Sequence, residues 1–405
     1  MRTKYSNLIL LILAGELIFA LPFHITRFFK PTVLEVFQIT NTELGDAFAL
    51  YGILALLCYF PGGYLADKYP PRKLISLSLF FTGIGGLYLA TLPSATLLPF
   101  VYAYWGITTI LLFWGALIKY TNDWGGLTQQ GKAFGYLEAG RGLVASIFSS
   151  IAFLLFYFLS KDLETASRSA VQIIIMFYSI SIIILSCLVY RFLKDYKINE
   201  KIKNRSNTNV KLRLYPVFLI SVIIICAYCG FRSMDNMALY LVEVGKFTTI
   251  EATGFVTTAS YLRIIFALLA GIIADRITSI KLVIVLFTII IIGQGVLVFF
   301  NPQSVYQLVL ISANLILVFI SIISLRAVYF SLVKHSHISF NRTGFSVGII
   351  SLVGFTPDIF FHSLTGRILD AEPGIIGFQN YHFVVMVISI LGVLASLKLS
   401  KWIVR

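Results

Sequence analysis

The sequence predicts an all-α integral membrane protein with twelve transmembrane helices in two pseudo-symmetric six-helix bundles. Three observations carry this. Of the 405 residues, 58% are hydrophobic and only 12% are charged, against roughly 45–50% and 25% in a soluble domain. The apolar residues arrive in runs long enough to cross a hydrocarbon core of ~30 Å, so the lipid bilayer is the solvent for most of the chain. A short motif after the second run returns after the eighth.

The apolar runs place spans near 6–28, 44–64, 74–92, 97–118, 134–158 and 169–192. A second set lies near 214–240, 251–274, 281–300, 305–332, 343–366 and 380–402. The first run follows Met1-Arg-Thr-Lys and has no small-x-small cleavage site behind it, so it reads as a retained helix. An even number of spans puts both termini on one side. Of the 32 Lys and Arg, 22 lie at the termini and in the even-numbered links, six in the opposite links and four inside spans. Positive charge concentrates on the cytoplasmic face, which predicts a multi-pass protein of the cytoplasmic (inner) membrane with both termini in the cytoplasm.

The stretch 193–213 is polar and basic, and it reads as a cytoplasmic linker between an N-terminal bundle (1–192) and a C-terminal one (214–405). The formal charge of +14 sits in such links and not on a continuous patch, which argues for topology and against nucleic acid. All four cysteines fall in apolar stretches. Cys226 and Cys229 have the CxxC spacing of metal and redox sites, but inside a span they read as small packing residues. No nucleotide loop, metal-ligand cluster or nucleophile arrangement stands out, so neither an enzyme nor a cofactor is expected.

The repeated motif is Gly63-Tyr-Leu-Ala-Asp67-Lys68, with Arg72 and Lys73 close behind, and Gly271-Ile-Ile-Ala-Asp275-Arg276, with Lys281 behind. The glycine permits close backbone approach at a helix end, and the aspartate suits a neighbouring helix N-terminus or a basic partner. One copy would be explained by a charged turn that fixes topology. Two copies 208 residues apart point to duplicated halves and a conformational latch built from Gly63, Asp67, Arg72, Gly271, Asp275 and Arg276.

These residues resemble the signature loop of the major facilitator superfamily, Gly-x-Leu-Ala-Asp-Arg-x-Gly-Arg-Arg/Lys. Gly63, Leu65, Ala66, Asp67, Lys68 and Arg72 match, and Pro70 replaces the second glycine. The resemblance covers the whole chain. It implies two six-helix bundles around a cavity opened to each side in turn, a small-molecule substrate and a monomer. A narrower resemblance, to the organophosphate:phosphate antiporters and their anion:cation symporter relatives, rests on Arg27-Phe-Phe in helix 1 and on Arg232, Asp235 and Tyr240-Leu-Val-Glu243-Val in helix 7. It implies that Arg27 and Arg232 face the cavity as a pair gripping an anion, at a separation three short of the repeat offset. It does not carry over phosphate as the substrate.

Ionisable groups inside spans cost at least ~2.5–3.5 kcal/mol to insert and therefore need a partner, a wet cavity or a task. The candidates are Glu16, Glu138, Arg141, Arg232, Asp235, Arg263, Arg326, Asp358 and His362. Glu138 with Arg141, and Arg232 with Asp235, are spaced to meet on one helix face, either as local ion pairs or as part of a site. Gly140 and Gly142 thin the helix around Arg141. Arg263 and Arg326 have no acidic neighbour on their own helices. Substrate binding is therefore expected at Arg27, Arg141, Arg232, Arg263 and Arg326. Proton coupling is expected at Asp358, Glu16 and His362, with Asp358 remaining ionised if an arginine pairs with it.

The functional expectation is a secondary active transporter of a small organic anion, coupled to protons or to a counter-anion. The alternative is a proton-driven exporter of drugs or metabolites. Such exporters commonly carry a Gly-Pro-rich fifth helix, whereas this one reads Gly140-Arg-Gly-Leu-Val-Ala-Ser-Ile-Phe. A sensor that kept the transporter fold would have little with which to signal, since no sizeable soluble domain is expected.

Overall fold

The computed structural model describes residues 2–125, 130–159, 165–194, 214–300, 304–329, 331–332 and 352–404. Every regular element among them is helical. In the first half, span 1 runs through Arg2–Leu17, a π turn at Ala20–His24 and Ile25–Phe37. Spans 2 and 3 are Asn41–Lys68 and Pro71–Leu89. Span 4 combines Leu98–Thr109, a π turn at Ile110–Trp114 and Gly115–Gly125, and spans 5 and 6 are Gln130–Leu159 and Thr165–Phe192.

In the second half, span 7 joins Leu214–Ser233 to Met237–Glu243 through a 3-10 turn at Met234–Asn236. Span 8 is Thr249–Ser260 followed by Leu262–Ile277. Spans 9, 10 and 12 are Ser279–Phe299, Val305–Val328 and Ile375–Val404. The described helix of span 11 is Pro357–Ala371, and the first part of its predicted range lies outside the described residues, as does most of the 193–213 linker. Among the described residues nine helices are long and apolar enough to cross a bilayer, and the bent span 1 makes ten. The arrangement is the twelve-helix fold expected.

Apolar side chains point outward as well as inward. Phe60, Phe158, Ile292 and Phe299 are among the most exposed, as a lipid solvent allows and water does not. Adhesion between spans then depends on close fit and on hydrogen bonds. Spans 2 and 4 show the first. A Cβ on Gly62 would lie 2.8 Å from the Leu111 carbonyl oxygen, and one on Gly106 would lie 2.5 Å from that of Tyr51. Spans 3 and 6 show the second, with Ser186 donating to the Ser76 carbonyl at 2.8 Å.

The halves repeat each other in packing and in backbone detail. Spans 3 and 6 pack together, as do 9 and 12, 2 and 4, 8 and 10, 1 and 5, and 7 and 11. Span 2 opens with a capping box between Thr40 and Glu43, and span 8 with one between Thr248 and Glu251. Each box satisfies backbone N–H groups that the first turn leaves without partners. Two residues before each box the backbone turns left-handed at a non-glycine, Gln38 (φ 51°) and Lys246 (φ 58°). All these pairs share the 208-residue offset of the two motifs.

Contacts divide the chain into two compact units. The first is Met1–Ile198 with Asn236–Val242 and Phe247–Tyr261; the second is Asn199–Asp235, Glu243–Lys246 and Leu262–Arg405. This differs from a division at 192 and 214 in that the second segment of span 7 and the first of span 8 cluster with the first unit. Within that unit Ser260 donates to the Ser146 hydroxyl at 3.0 Å, and Tyr261 and Ser150 pair their hydroxyls at 2.8 Å.

Candidate functional site

Among the described residues, each unit holds a buried ionic cluster. In the first, the Arg141 guanidinium donates from Nε to Glu16 at 2.9 Å and from Nη1 to Glu138 at 2.7 Å. Arg141 and Glu16 are buried, whereas the Glu138 side chain is 51% exposed. The Phe19 ring lies 5.8 Å from the Arg141 Cζ, which adds cation–π attraction. The expected thinning around Arg141 is visible at Gly140, where a Cβ would lie 2.6 Å from the Ile12 side chain. Spans 1 and 5 can therefore approach until Arg141 reaches Glu16.

The break in span 1 supplies a further member. Pro22 lies in the π turn and cannot donate a backbone hydrogen bond. Just before it, Tyr5–Leu17 and Ala20–Phe37 are bent by 40° relative to each other. His24, in that turn, places Nε2 3.2 Å from Glu16 Oε1, although eight residues of straight helix would separate their Cα atoms by about 12 Å. The Tyr178 ring of span 6 packs edge-on to His24 at 6.2 Å. Sequence reasoning missed His24, although it is a histidine in an apolar run like His362.

The second cluster forms at the break in span 7. Arg232 donates from Nε to Asp358 at 2.6 Å and from Nη2 to the Tyr228 hydroxyl at 2.7 Å. Tyr228 in turn donates to the other Asp358 oxygen at 3.0 Å. The 3-10 turn carries Asp235 to 3.7 Å from Arg232 Nη1, and His362 Nε2 stands 3.4 Å from Asp235. Asp358 occupies the first turn of Pro357–Ala371, where the helix dipole also favours a carboxylate.

Arg326, on span 10, is held differently. Its Cζ lies 3.8 Å from the centroid of the Phe231 ring. Its Nη1 is buried and has no hydrogen-bond partner among the described residues. Arg27 is buried beside Lys30, which donates to Asn236, and Arg263 is half-buried on span 8. In the repeat frame, the counterpart of Arg232 is His24 and that of Arg27 is Asp235, so Arg27 and Arg232 are not equivalent positions.

Gly63, Asp67, Gly271, Asp275 and Arg276 are exposed. The close approach expected at Gly63 and Gly271 is absent, since a Cβ on either would meet nothing within 4 Å. The crowded glycine is its neighbour Gly62. Lys119 of span 4 caps this helix end, donating to the Ala66 carbonyl at 2.6 Å.

Residues 12–360 match the Major Facilitator Superfamily. The chain belongs to this superfamily. It is accordingly a multi-pass membrane transporter and not an enzyme. A relative in Escherichia coli (strain K12), inner membrane protein YihN, is 29% identical and aligns over 99% of this chain and 96% of its own. Inner membrane protein YqcE of the same strain is 26% identical over 84% of this chain and 82% of its own. Among solved structures, a D-xylose-proton symporter superposes with a TM-score of 0.77 at 14% identity, covering 98% of this chain and 97% of its own. The shared superfamily architecture leaves the substrate to be argued from the buried charges.

Proposed function

We propose that this Major Facilitator Superfamily member is a secondary active transporter of a small organic anion, coupled to protons. It would work as a monomer in the inner membrane with both termini cytoplasmic. The carrying observation is Arg326: a cation on an aromatic face, with a buried N–H that no described side chain accepts. A guanidinium held in this way suits a carboxylate or phosphate oxygen. Arg27 and Arg263 are the further candidates for contact with the anion.

Arg141 and Arg232 are already held by carboxylates at 2.6–2.9 Å. They take part in binding only when a carboxylate releases them, and protonation of Glu16 or Asp358 is the event that would do so. Arrival of a proton and availability of a guanidinium are thereby linked, which is a physical basis for coupling. The relatives named as inner membrane proteins support the location, and the positive charge of the even-numbered links supports the orientation. The D-xylose-proton symporter supports proton coupling as something this architecture accommodates.

The test is a thermal-shift screen of purified protein against organic acids, sugar phosphates, amino acids and nucleosides, because a ligand of the folded state raises its apparent stability. The expected result is an anion that stabilises the wild type and not Arg326→Ala. Stabilisation by neutral or cationic compounds alone would discard the anion and favour the exporter.

A further inference from the structure

In each unit one pair of packed spans, 3 with 6 and 9 with 12, ends in basic side chains. Ser186 bonds to Ser76, and four residues nearer the end the Arg72 Cζ lies 5.7 Å from the centroid of the Tyr190 ring. This antiparallel register brings Arg72 and Lys73, in the first turn of span 3, level with Arg191 in the last turn of span 6 and Lys194 just beyond it. The Lys194 carbonyl accepts from the buried Tyr120 hydroxyl of span 4 at 2.7 Å, which fixes the chain there. In the second unit His382 Nδ1 and Gln294 Oε1 are 2.7 Å apart, and a Cβ on Gly392 would lie 2.5 Å from the Phe287 ring. The same register continued to the end sets Lys281, in the first turn of span 9, beside Lys398, with Lys401 one turn on. Lys73 and Lys281 stand at the 208-residue offset of the repeat.

Lys73, Arg191, Lys194, Lys281, Lys398 and Lys401 are all exposed, and none has an ion pair among the described residues. Neither span 3 nor span 9 has an acidic side chain in its first turn, so the positive end of each helix dipole adds to the charge. The acidic groups closest in sequence are Asp67 and Asp275, each followed by a cation of its own, Lys68 and Arg276, and Asp195, which lies outside the described residues. Farther along, the same spans expose an apolar wall, with Phe81, Ile184 and Leu188 in the first unit and Val285, Leu391 and Leu394 in the second. Cations at the foot of such a wall match a molecule with an anionic head and hydrocarbon tails, whereas a soluble anion would leave the wall unused. We infer that each unit binds an anionic phospholipid of the cytoplasmic leaflet. The phosphate lies among Lys73, Arg191 and Lys194 in the first unit and among Lys281, Lys398 and Lys401 in the second, with the acyl chains along the exposed wall. The choice of leaflet rests on the orientation proposed above.

The experiment is native mass spectrometry of the detergent-purified protein with added phosphatidylglycerol, and with phosphatidylcholine as the zwitterionic control. One phosphatidylglycerol should be retained per unit, and phosphatidylcholine should not be retained. Replacing Lys73, Arg191 and Lys194 together by Gln should remove one lipid, replacing Lys281, Lys398 and Lys401 should remove the other, and the combination should retain none. Each of these substitutions alone should weaken retention about fivefold, which keeps the test decisive where a triple variant fails to insert. Arg168→Gln, an exposed cation at the opposite end of span 6, should change nothing. Equal retention of the two lipids, or unaltered retention by the single variants, would overturn the inference. Displacement by soluble glycerol phosphate, which has the head without the tails, would overturn it as well. Retention as expected in a protein whose termini prove external would keep both sites and overturn the cytoplasmic leaflet.

Discussion

The Asp358 carboxylate accepts from Arg232 Nε at 2.6 Å, and the Tyr228 hydroxyl bonds to both partners, closing a three-membered ring of hydrogen bonds. A carboxyl expected from the sequence to carry a proton is thus the counter-ion of a buried guanidinium. The neighbouring Asp235 is farther away, at 3.7 Å, so the pair formed between spans is tighter than the one formed within span 7.

Removing one partner of this pair leaves the other buried with its charge poorly compensated, a loss of about 3–5 kcal/mol in comparable cases. Arg232→Gln and Asp358→Asn should each lower the melting temperature, Arg232→Gln more, because it leaves both Asp358 and Asp235 behind. The double variant should recover part of the loss. Melting curves of the two single variants and the double variant form the cycle, and strictly additive losses would show that the pair contributes nothing.

Arg326 should behave in the opposite way. Its removal strands no carboxylate among the described residues, so Arg326→Ala should leave the melting temperature of the empty protein near that of the wild type. Binding should suffer, since a hydrogen bond to a charged group is worth about 1.5–3 kcal/mol, or roughly ten- to a hundredfold in affinity. Arg326→Lys keeps the charge but loses the guanidinium held over the Phe231 ring and should fall between. Titration calorimetry with the stabilising anion measures all three, and equal affinities would remove Arg326 from the site.

The spans and the duplicated motif were legible because they rest on long apolar runs and on spacing. The Glu138–Arg141 pairing followed from helical periodicity. The links Glu16–Arg141 and Arg232–Asp358 were not legible, because each joins different spans and sequence separation carries no record of which helix faces which. His24 was missed because its approach to Glu16 depends on the π turn around Pro22, whereas periodicity assumes an unbroken helix. The capping boxes were also missed, although Thr40-x-x-Glu43 and Thr248-x-x-Glu251 stand before apolar runs at the same 208-residue offset as the motifs.

The two capping boxes give a paired prediction. Thr40→Ala and Thr248→Ala each remove the acceptor for a backbone N–H at the third position of the helix. Loss of such a cap costs about 0.5–2 kcal/mol. Equivalent geometry should give similar falls in melting temperature. A loss at one site only would mean that the repeated structure is not matched by repeated energetics.

Gly62 and Gly63 separate packing from switching at adjacent positions. A methyl group on Gly62 would lie 2.8 Å from the backbone oxygen of Leu111, so spans 2 and 4 would have to move apart. Overpacking of this kind typically costs about 1–3 kcal/mol. A methyl on Gly63 meets nothing within 4 Å, and alanine is the better helix former by about 0.5–1 kcal/mol. Gly62→Ala should therefore melt at lower temperature than the wild type, and Gly63→Ala at the same temperature or slightly higher. If the Gly63 motif is a latch, its glycine is needed in a conformation other than this one. Gly63→Ala should then slow uptake of the stabilising anion into proteoliposomes while leaving its affinity unchanged. Wild-type uptake by a fully stable Gly63→Ala protein would reduce the motif to a charged turn that sets topology.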